Sequence, residues 1–482
     1  MPNILAIAHR ASPPCLQRRQ RGRDDRYREH HWPACVRGEP AIKPFFRKKV
    51  YTSDSHNMLS SDNAVAAGAA GLDAFNDCSV PKVLVWSWSS PYVPSGSPAV
   101  LAAVLQRIPP GRCEVVCEAR YGKRRRSLKF SHPITETRIL RCFWPLPVGS
   151  RPMQISRYLA VPLLLLYGLY RSWRFRPDCL FTIHFNSVWL LTSYWLSKLT
   201  GVPVVYWAHD PYLDSAEFRG GIEGVIARWL APRSLRHGTV VALYPSLAEH
   251  YNRSFGITSR VVRHVLNSYA GNTWQRQHRQ GSALVIGFSG TIYDNNRSLI
   301  EHLVAAVKHL PDIELRMFTD ADKEVQRGLG LPLPNVKVTF LRDPQKLHHE
   351  LSDCDLLYLP LAFSDTPTLP SASLRYVLPT KAIDYLQTGV EILVHCPSDY
   401  ETSRFFSECA AAHLLGESGT EHLRKWLIAW RQGQLPAISP AAVALALKEF
   451  IPDQNCEKLF GIFRQASGHQ ELATNASHAN PC

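Results

Sequence analysis

The sequence predicts an α/β protein built from two doubly wound, parallel-sheet domains that face each other across a central cleft. Three observations predict this fold class. Apolar runs of four to six residues alternate with longer segments of helical periodicity, which is typical of a parallel sheet covered by helices on both faces. The alternation restarts after a polar stretch that begins near residue 271. The chain has 482 residues, which is long enough for two domains of ordinary size.

The two domains are expected at residues 81–270 and 283–465, followed by a loose polar tail at 466–482. The strands predicted for the first domain are 83–86, 113–117, 179–183, 202–207 and 239–243. Those predicted for the second are 284–288, 313–318, 336–340, 355–360 and 391–394, with a helix at 298–310. Sheets of this kind bind ligands beyond the carboxyl ends of their strands, so the residues directly after these runs are the candidates for chemistry.

Positive charge is concentrated in two segments of a chain whose net charge is +15. Residues 1–50 contain 12 Lys/Arg and four Asp/Glu, and residues 111–180 contain 14 and four. Basic segments attract anionic lipid or nucleic acid. Residues 1–80 hold no apolar run long enough for a secretory signal, and their composition favours a disordered basic extension. Met58 is an alternative start of the chain.

The cysteines and the missing nucleic-acid motifs narrow the class of protein. The 12 cysteines are scattered and form no pair of close motifs, so we expect reduced thiols, a cytoplasmic location and no metal site. The sequence contains no zinc-finger, RRM or helix-turn-helix pattern. Specific nucleic-acid binding is therefore not expected.

A glycine-containing turn follows the first predicted strand of the second domain, in the sequence GFSGT at 287–291. Gly287 and Gly290 are expected to let the backbone turn tightly and approach a ligand. Together with Thr291 they precede a helix whose N-terminal N–H groups and dipole favour a diphosphate. Because many strand–helix turns contain glycine, an ordinary turn is the alternative.

A second candidate is the sequence LPTKAIDYLQTG at 378–389. Pro379 fits the start of a helix and Gly389 fits its end, which places Lys381 and Asp384 on one face. A lysine in the first turn opposes the helix dipole unless an anion such as a pyrophosphate binds there. Asp384, one turn deeper, is placed to accept hydrogen bonds from ribose hydroxyls. A solvated Lys381–Asp384 pair is the alternative.

Three motifs together resemble the bacterial group-1 glycosyltransferases of the large retaining family 4: GFSGT at 287–291, DLLYLP at 355–360 and LPTKAIDYL at 378–386. The resemblance covers roughly residues 82–465 and is most specific in the second half. It implies a GT-B fold of two Rossmann-like domains and a metal-independent, hexosyltransferase-like enzyme. In such an enzyme Gly290 lies against the donor diphosphate, Lys381 contacts phosphate, with Thr380 beside it, and Asp384 takes the ribose position.

The same resemblance implies the substrates. The donor is a nucleotide-diphosphate sugar, no cofactor is needed, and the acceptor is lipid-linked or a glycan in bacterial surface polysaccharide biosynthesis. One departure concerns the donor sugar: many members have two Glu residues separated by seven positions. Here the second acid corresponds to Asp384, and Tyr376 occupies the place of the first. Arg375, just before it, is expected to bind a phosphate or an acidic sugar, and a structural arginine on a loop is the alternative.

Candidate catalytic residues follow the strand predicted at 202–207. His209 and Asp210 stand where parallel sheets bind ligands, and the resembling enzymes have His-Asp or His-Gly at this point. His209 is expected to hydrogen-bond a sugar hydroxyl or a developing charge, and Asp210 to orient it or to activate the acceptor hydroxyl. A packed histidine and a helix-capping aspartate are the alternative. Ser95 and Gly96, after the first predicted strand, are expected to lie near the acceptor.

The most apolar run of the chain, residues 159–170, predicts contact with a membrane. Its 12 residues fall short of the roughly 20 that span a bilayer. Arg151 and Arg157 precede the run, and Arg171, Arg174 and Arg176 follow it. A basic, apolar helix of this kind lies in the membrane interface, so we expect peripheral attachment to the inner face of an anionic membrane. An ordinary covering helix is the alternative.

Two other classes of function remain open from the sequence. Sugar-nucleotide epimerases use the same two-domain fold, and fold alone does not separate them from transferases. The non-enzymatic alternatives are a catalytically inactive binding module and a nucleic-acid-binding protein that uses the arginine-rich first residues.

Overall fold

The computed structural model describes residues 80–88, 90–93, 96–118, 130–137, 155, 157–183, 186–213, 221–266, 284–341, 343–365 and 371–468. The basic extension through residue 79, Met58, Ser95 and the tail after residue 468 lie outside the described residues. Both sheets of the protein belong to one compact unit of the chain.

The first sheet has seven described strands, which pair in parallel in the order β3-β2-β1-β4-β5-β6-β7. The strands are β1 Val83–Ser87, β2 Cys113–Glu118, β3 Ile134–Thr137, β4 Cys179–Ile183, β5 Val204–Ala208, β6 Thr239–Ala242 and β7 Arg260–Val261. The helices between them are α1 Ser97–Leu105, α2 Val161–Phe175, α3 Ser187–Thr200, α4 Gly221–His237 and α5 Pro245–Phe255. Every residue of β1, β2, β4 and β5 is buried, as expected for central strands that are covered on both faces.

The second sheet has six described strands in the order β10-β9-β8-β11-β12-β13, again parallel. Its strands are β8 Leu284–Ser289, β9 Ile313–Phe318, β10 Val336–Thr339, β11 Leu356–Pro360, β12 Glu391–His395 and β13 His413–Leu415. Its helices are α6 Asp294–Val307, α7 Lys323–Gly328, α8 Pro344–Ser352, α9 Ser371–Leu374, α10 Thr380–Thr388, α11 Glu401–Cys409, α12 Thr420–Arg431, α13 Pro440–Lys448 and α14 Pro452–Ala466. The predicted fold class of two doubly wound sheets is confirmed.

The last helix among the described residues, α14, returns to the first sheet. It contacts β5, and the Phe463 ring lies 5.0 Å from the Phe181 ring of β4. At the start of the helix, Asp453 accepts a hydrogen bond from the Arg107 guanidinium at 2.7 Å. This segment was expected to belong to the second domain, whereas it packs against one face of the first sheet.

Arg171 has a role different from the expected contact with lipid. Its guanidinium forms an ion pair with Glu114 on β2 and donates to the Tyr167 hydroxyl at 3.0 Å. The Arg171 side chain is 15% exposed and that of Glu114 is 9% exposed. Glu114 is a buried carboxylate that needs a partner, and the Arg171 guanidinium supplies the compensating positive charge. The expectation that it faces a membrane is wrong.

Within the described residues, no helix combines the length and the apolarity needed to cross a bilayer.

Candidate functional site

The turn after β8 leaves open space beside Gly290. This residue has φ 113°, which other residues rarely adopt, and a Cβ there would meet no atom within 4 Å. Its N–H already donates to the Phe318 carbonyl at 3.0 Å. Gly290 therefore provides space for a ligand and no free backbone donor. Gly287 differs, because a Cβ there would lie 2.7 Å from both Cys354 Sγ and Leu357 Cδ2. Gly287 is therefore required for the close packing of β8 against Cys354 and Leu357. The expected role, an approach to a ligand, falls to Gly290.

Polar contacts order the segment between Gly290 and α6. The Thr291 hydroxyl donates to Asp320 Oδ1 at 3.2 Å. The Asn296 side chain accepts from the Tyr293 N–H at 2.9 Å and donates to the Thr291 carbonyl at 3.2 Å. These bonds fix the backbone just before α6, whose N-terminal dipole end lies beside this turn.

Lys381 lies in the first turn of α10, next to the end of β8. Its Nζ is 4.8 Å from the centroid of the Phe288 ring. Burial lowers the pKa of the ammonium to about 8, because removal from water disfavours the charged form. No carboxylate among the described residues pairs with it. A bound anion would stabilise a cation held in this way.

A buried tyrosine holds α10 against the end of β8. The Tyr385 hydroxyl accepts a hydrogen bond from the Ser289 N–H at 2.8 Å and lies 3.3 Å from Ser289 Oγ. Because Tyr385 follows Lys381 by one helical turn, this contact brings Lys381 beside the Gly290 turn. Two elements that the sequence predicted separately therefore meet at one corner of the second sheet.

The predicted helix that carries Lys381 is confirmed. Thr380 is its first residue, and Gly389, with φ 71°, ends it. Thr380 and Asp384 are both half-buried, and Asp384 lies one turn after Lys381. The helix therefore presents the threonine, the lysine and the aspartate along its N-terminal half.

Arg375 is engaged by a protein carboxylate. Its Nη2 lies 2.9 Å from Asp399 Oδ2, and both side chains are about half exposed. Its carbonyl accepts from the Glu401 N–H at 2.8 Å. The next residue, Tyr376, packs against His250 of α5 with ring centroids 4.5 Å apart. An anionic ligand at Arg375 would have to compete with Asp399, whereas Tyr376 contacts the half of the protein that contains the first sheet.

His209 and Asp210 follow β5 at its carboxyl end, as predicted. The His209 side chain is buried, edge-on to Trp207 at 5.0 Å and to His264 at 5.8 Å between ring centroids. Asp210 is exposed, and its carbonyl accepts from the Tyr251 hydroxyl at 3.0 Å. The backbone after β5 is thus fixed, with an imidazole on the buried side and an aspartate on the exposed side.

A chain of buried contacts connects His209 to the start of α10. The Tyr244 hydroxyl, after β6, donates to the Leu378 carbonyl at 2.7 Å and lies 2.7 Å from His264 Nδ1. Leu378 stands three residues before Lys381. The residues that end the strands of the first sheet therefore help to position the helix that carries the lysine.

The positions of the protons in this chain of contacts follow from which atoms can donate a hydrogen bond and which can only accept one. A carbonyl only accepts, so the single Tyr244 proton goes to Leu378. The bond to His264 then needs a proton on its Nδ1. Burial, with Arg263 adjacent, lowers the pKa of His264 to about 3, so the imidazole is neutral at physiological pH. Burial also raises the pKa of Tyr244 well above its usual value, which keeps the phenol protonated.

Of the two residues expected near an acceptor, Gly96 is described. It precedes α1 with φ 58°, and a Cβ there would meet no atom within 4 Å. Gly96 therefore has open space beside it at the carboxyl edge of the first sheet, the edge at which His209 stands.

Comparisons with known proteins agree with this architecture. No protein-family model matches the sequence, and no curated protein matches it significantly. Among solved structures, it is similar to HepE from Anabaena in complex with UDP and glucose, with 17% identity and a TM-score of 0.56, covering 80% of this chain and 100% of that chain. It is also similar to the lipopolysaccharide outer core galactosyltransferase WaaB, with 12% identity and a TM-score of 0.54, covering 80% and 99%. The chain has the GT-B fold.

A third similar structure has a different activity. It is a protein from Listeria monocytogenes described as a UDP-N-acetylglucosamine 2-epimerase, with 9% identity and a TM-score of 0.50, covering 81% of this chain and 98% of that chain. The structural similarity establishes the GT-B fold. Because the sequence identities are this low, the reaction has to be argued from the site.

The GT-B site contains residues that the sequence analysis missed: Phe288, Tyr385, Tyr244 and His264. A simple signal would have found Tyr244, because it follows the strand next to β5 and so belongs to the same carboxyl edge. Phe288 and Tyr385 lie inside motifs that were identified, and their contacts depend on how β8 and α10 pack.

Proposed function

We propose that this GT-B protein transfers a hexose from a nucleoside-diphosphate sugar to a lipid-linked or glycan acceptor, as a step in bacterial surface polysaccharide biosynthesis at the inner face of the membrane. The observation that carries the proposal is Lys381, a half-buried ammonium over Phe288 that lacks a carboxylate partner among the described residues. The UDP bound to HepE supports a nucleotide as the source of the anion.

On the donor side, the leaving group is a diphosphate whose negative charge grows as the bond to the sugar breaks. Lys381 supplies a positive charge there, and the N-terminus of α6 adds oriented N–H groups. Open space at Gly290 lets the diphosphate approach, with Thr291 beside it, and Asp384 accepts hydrogen bonds from the ribose. These groups supply the positive charge without a metal ion, so chelation by EDTA is expected to leave the rate unchanged.

On the acceptor side, the acceptor oxygen forms a bond to the anomeric carbon as the bond from that carbon to the diphosphate breaks. The acceptor hydroxyl loses its proton, and Asp210 is the proposed group that receives it. His209, buried next to Trp207 and His264, is proposed to hydrogen-bond a hydroxyl of the donor sugar.

The test is nucleotide binding by Lys381→Gln. We expect loss of at least about tenfold in affinity for UDP or a related nucleoside diphosphate, since a charge-assisted hydrogen bond contributes roughly 1.5–3 kcal/mol. Lys346→Gln, an exposed lysine of α8, is the matched control and should bind as the wild type does. Unchanged affinity in Lys381→Gln would refute the donor site, provided that both variants unfold at the same temperature.

Epimerisation is the second candidate, because a structure described as an epimerase shares the fold. Incubation with a nucleotide sugar and no acceptor separates the two reactions. An epimerase converts the sugar to its epimer, whereas a transferase releases the nucleoside diphosphate slowly and faster once an acceptor is added.

A further inference from the structure

We propose that the outer face of α2, α3 and α4 docks on the surface of an anionic phospholipid bilayer. The term three-helix face is used here for the exposed side chains of α2, α3 and α4 taken together. A lipid-linked acceptor, which belongs to the proposed function on which this inference rests, would be met at such a surface. The sequence pointed to one apolar run, and the structure extends the surface to two further helices.

Large apolar side chains are exposed along α2. They are Leu163, Leu166, Tyr170 and Trp173, with Leu166 63% and Trp173 74% exposed. Their spacing of three and four residues places them on one side of the helix. The opposite side is buried, where a Cβ at Gly168 would lie 3.0 Å from the Trp86 ring of β1. The exposed side is therefore a second apolar stripe, which packing against the sheet does not explain.

The neighbouring helices continue the apolar surface. α2 packs against α3, and α3 packs against α4. Trp195 and Leu199 of α3 are exposed, as are Val225 and Trp229 of α4. Of the 15 large apolar residues exposed in the described part of the chain, eight lie on these three helices. Exposed apolar side chains concentrated on neighbouring helices mark an interaction surface.

The charges on the three helices have one sign at the surface. Their one acidic residue, Glu223, is 8% exposed. Arg174, Lys198 and Arg228 are exposed, and the Arg233 guanidinium lies 4.4 Å from the centroid of the Trp229 ring. Tryptophan and arginine together suit the boundary between lipid headgroups and acyl chains. This charge favours an anionic surface and disfavours pairing with a second copy of the same face, since like charges would meet.

The position of α2 places one end of the three-helix face near the carboxyl edge of the first sheet, where ligands are expected to bind. The helix ends at Phe175, just before β4 begins at Cys179, so its C-terminus lies at the amino ends of the strands. Its N-terminus therefore lies toward the carboxyl edge, where His209 stands, and its 15 residues span about 22 Å at about 1.5 Å per residue. A bilayer on this face would lie close to the point at which an acceptor enters.

The test measures binding of the full chain to vesicles of phosphatidylcholine, with and without phosphatidylglycerol. One variant removes apolar contacts, Leu166→Gln with Trp173→Gln, and another removes charge, Arg174→Gln with Arg228→Gln. The control carries Leu445→Gln and Lys346→Gln, which change one exposed apolar and one exposed basic residue on α13 and α8. Because the basic extension is present in every protein, its contribution cancels in the comparison.

We expect the wild type to prefer anionic vesicles, the charge variant to lose about fivefold in affinity for each cation removed, and the apolar variant to lose at least about tenfold. The control should stay within about twofold. Wild-type binding by both face variants would overturn the proposal, as would a wild-type dimer that the apolar variant converts to a monomer. UDP binding should be unchanged in both face variants and lost in Lys381→Gln, which should still bind vesicles; failure of the donor site is thereby distinguished from failure of this surface.

Discussion

At the scale of single residues, Lys381 makes nucleotide binding depend on pH. Burial lowers its pKa from 10.5 to about 8, so the free protein loses this charge as pH rises through about 8. Between pH 8 and 10.5, Lys381 keeps its proton in the unfolded chain, whereas it has lost the proton in the ligand-free folded protein. Its contribution to the free energy of unfolding therefore rises with pH in that window.

Nucleotide affinity should change in the opposite direction. A diphosphate binds the charged ammonium, so we expect the affinity for UDP to fall by up to about tenfold per pH unit above pH 8. Calorimetry in buffers of different ionisation enthalpy should show proton uptake on binding at pH 9. Lys381→Arg is the control, because a guanidinium stays charged over this range. Equal wild-type affinity at pH 7 and pH 9.5 would show that this ammonium does not hold the phosphate.

Single residues also show what the sequence could predict about the site. Lys381 was predictable because a cation in the first turn of a helix opposes the helix dipole, a conflict that is visible in the sequence alone. The partner of Arg375 was not predictable, because Asp399 is 24 residues away in sequence and comes close only where the start of α11 contacts the Arg375 backbone. The difference between Gly287 and Gly290 was also hidden, since it depends on Cys354 and Leu357 from a neighbouring part of the sheet.

At the scale of elements, the start of α10 depends on Tyr244. Tyr244→Phe leaves the buried Leu378 carbonyl without this donor, which costs about 1–3 kcal/mol of unfolding free energy. We expect the loss to be accompanied by weaker nucleotide binding, because Leu378 leads directly into the helix of Lys381.

A matched variant separates the two effects. Tyr358→Phe removes another buried hydroxyl, which lies 2.6 Å from His395 Nδ1 and 3.3 Å from the Leu299 carbonyl. It should lower stability to a similar extent and leave UDP affinity unchanged at a temperature where both variants are folded. Equal affinities in Tyr244→Phe and Tyr358→Phe would assign Tyr244 a purely structural role.

Elements with a strong apolar pattern were predicted. Of the four described edge strands, β10 was predicted, and β3, β7 and β13 were missed. The central strands are continuous apolar runs because helices cover both of their faces, and the sequence predicted them to within about two residues. The strands β3, β7 and β13 have two to four residues each. Their side chains are partly exposed and mix polar with apolar types, so they form because a neighbouring strand offers hydrogen bonds, and local pattern does not predict them.

At the scale of the whole molecule, the first sheet depends on a helix from the end of the described chain. Phe463 of α14 is fully buried and packs on Phe181. Phe463→Ala should lower the free energy of unfolding by about 3–5 kcal/mol. Hydrogen exchange should accelerate most in β4 and β5, although the substitution lies far from them in sequence.

The control is Phe406→Ala, another fully buried phenylalanine, in α11 of the second half. It should accelerate exchange around β13, which α11 contacts, and leave β4 and β5 protected. If Phe463→Ala instead changes exchange only in the second sheet, α14 does not support the first. The return of α14 was not predictable from its helical pattern, because an amphipathic helix indicates that one face is buried and does not indicate against which sheet.

The return of α14 also sets the order in which the protein is completed during synthesis. The strands β4 and β5 leave the ribosome long before Phe463 does, at about 5–20 residues per second. For a time on the order of tens of seconds, the face that α14 will cover stays bare on a nascent chain that has already formed most of its first sheet. That bare face is a surface on which a cell's folding machinery would act, until α14 is translated and covers it.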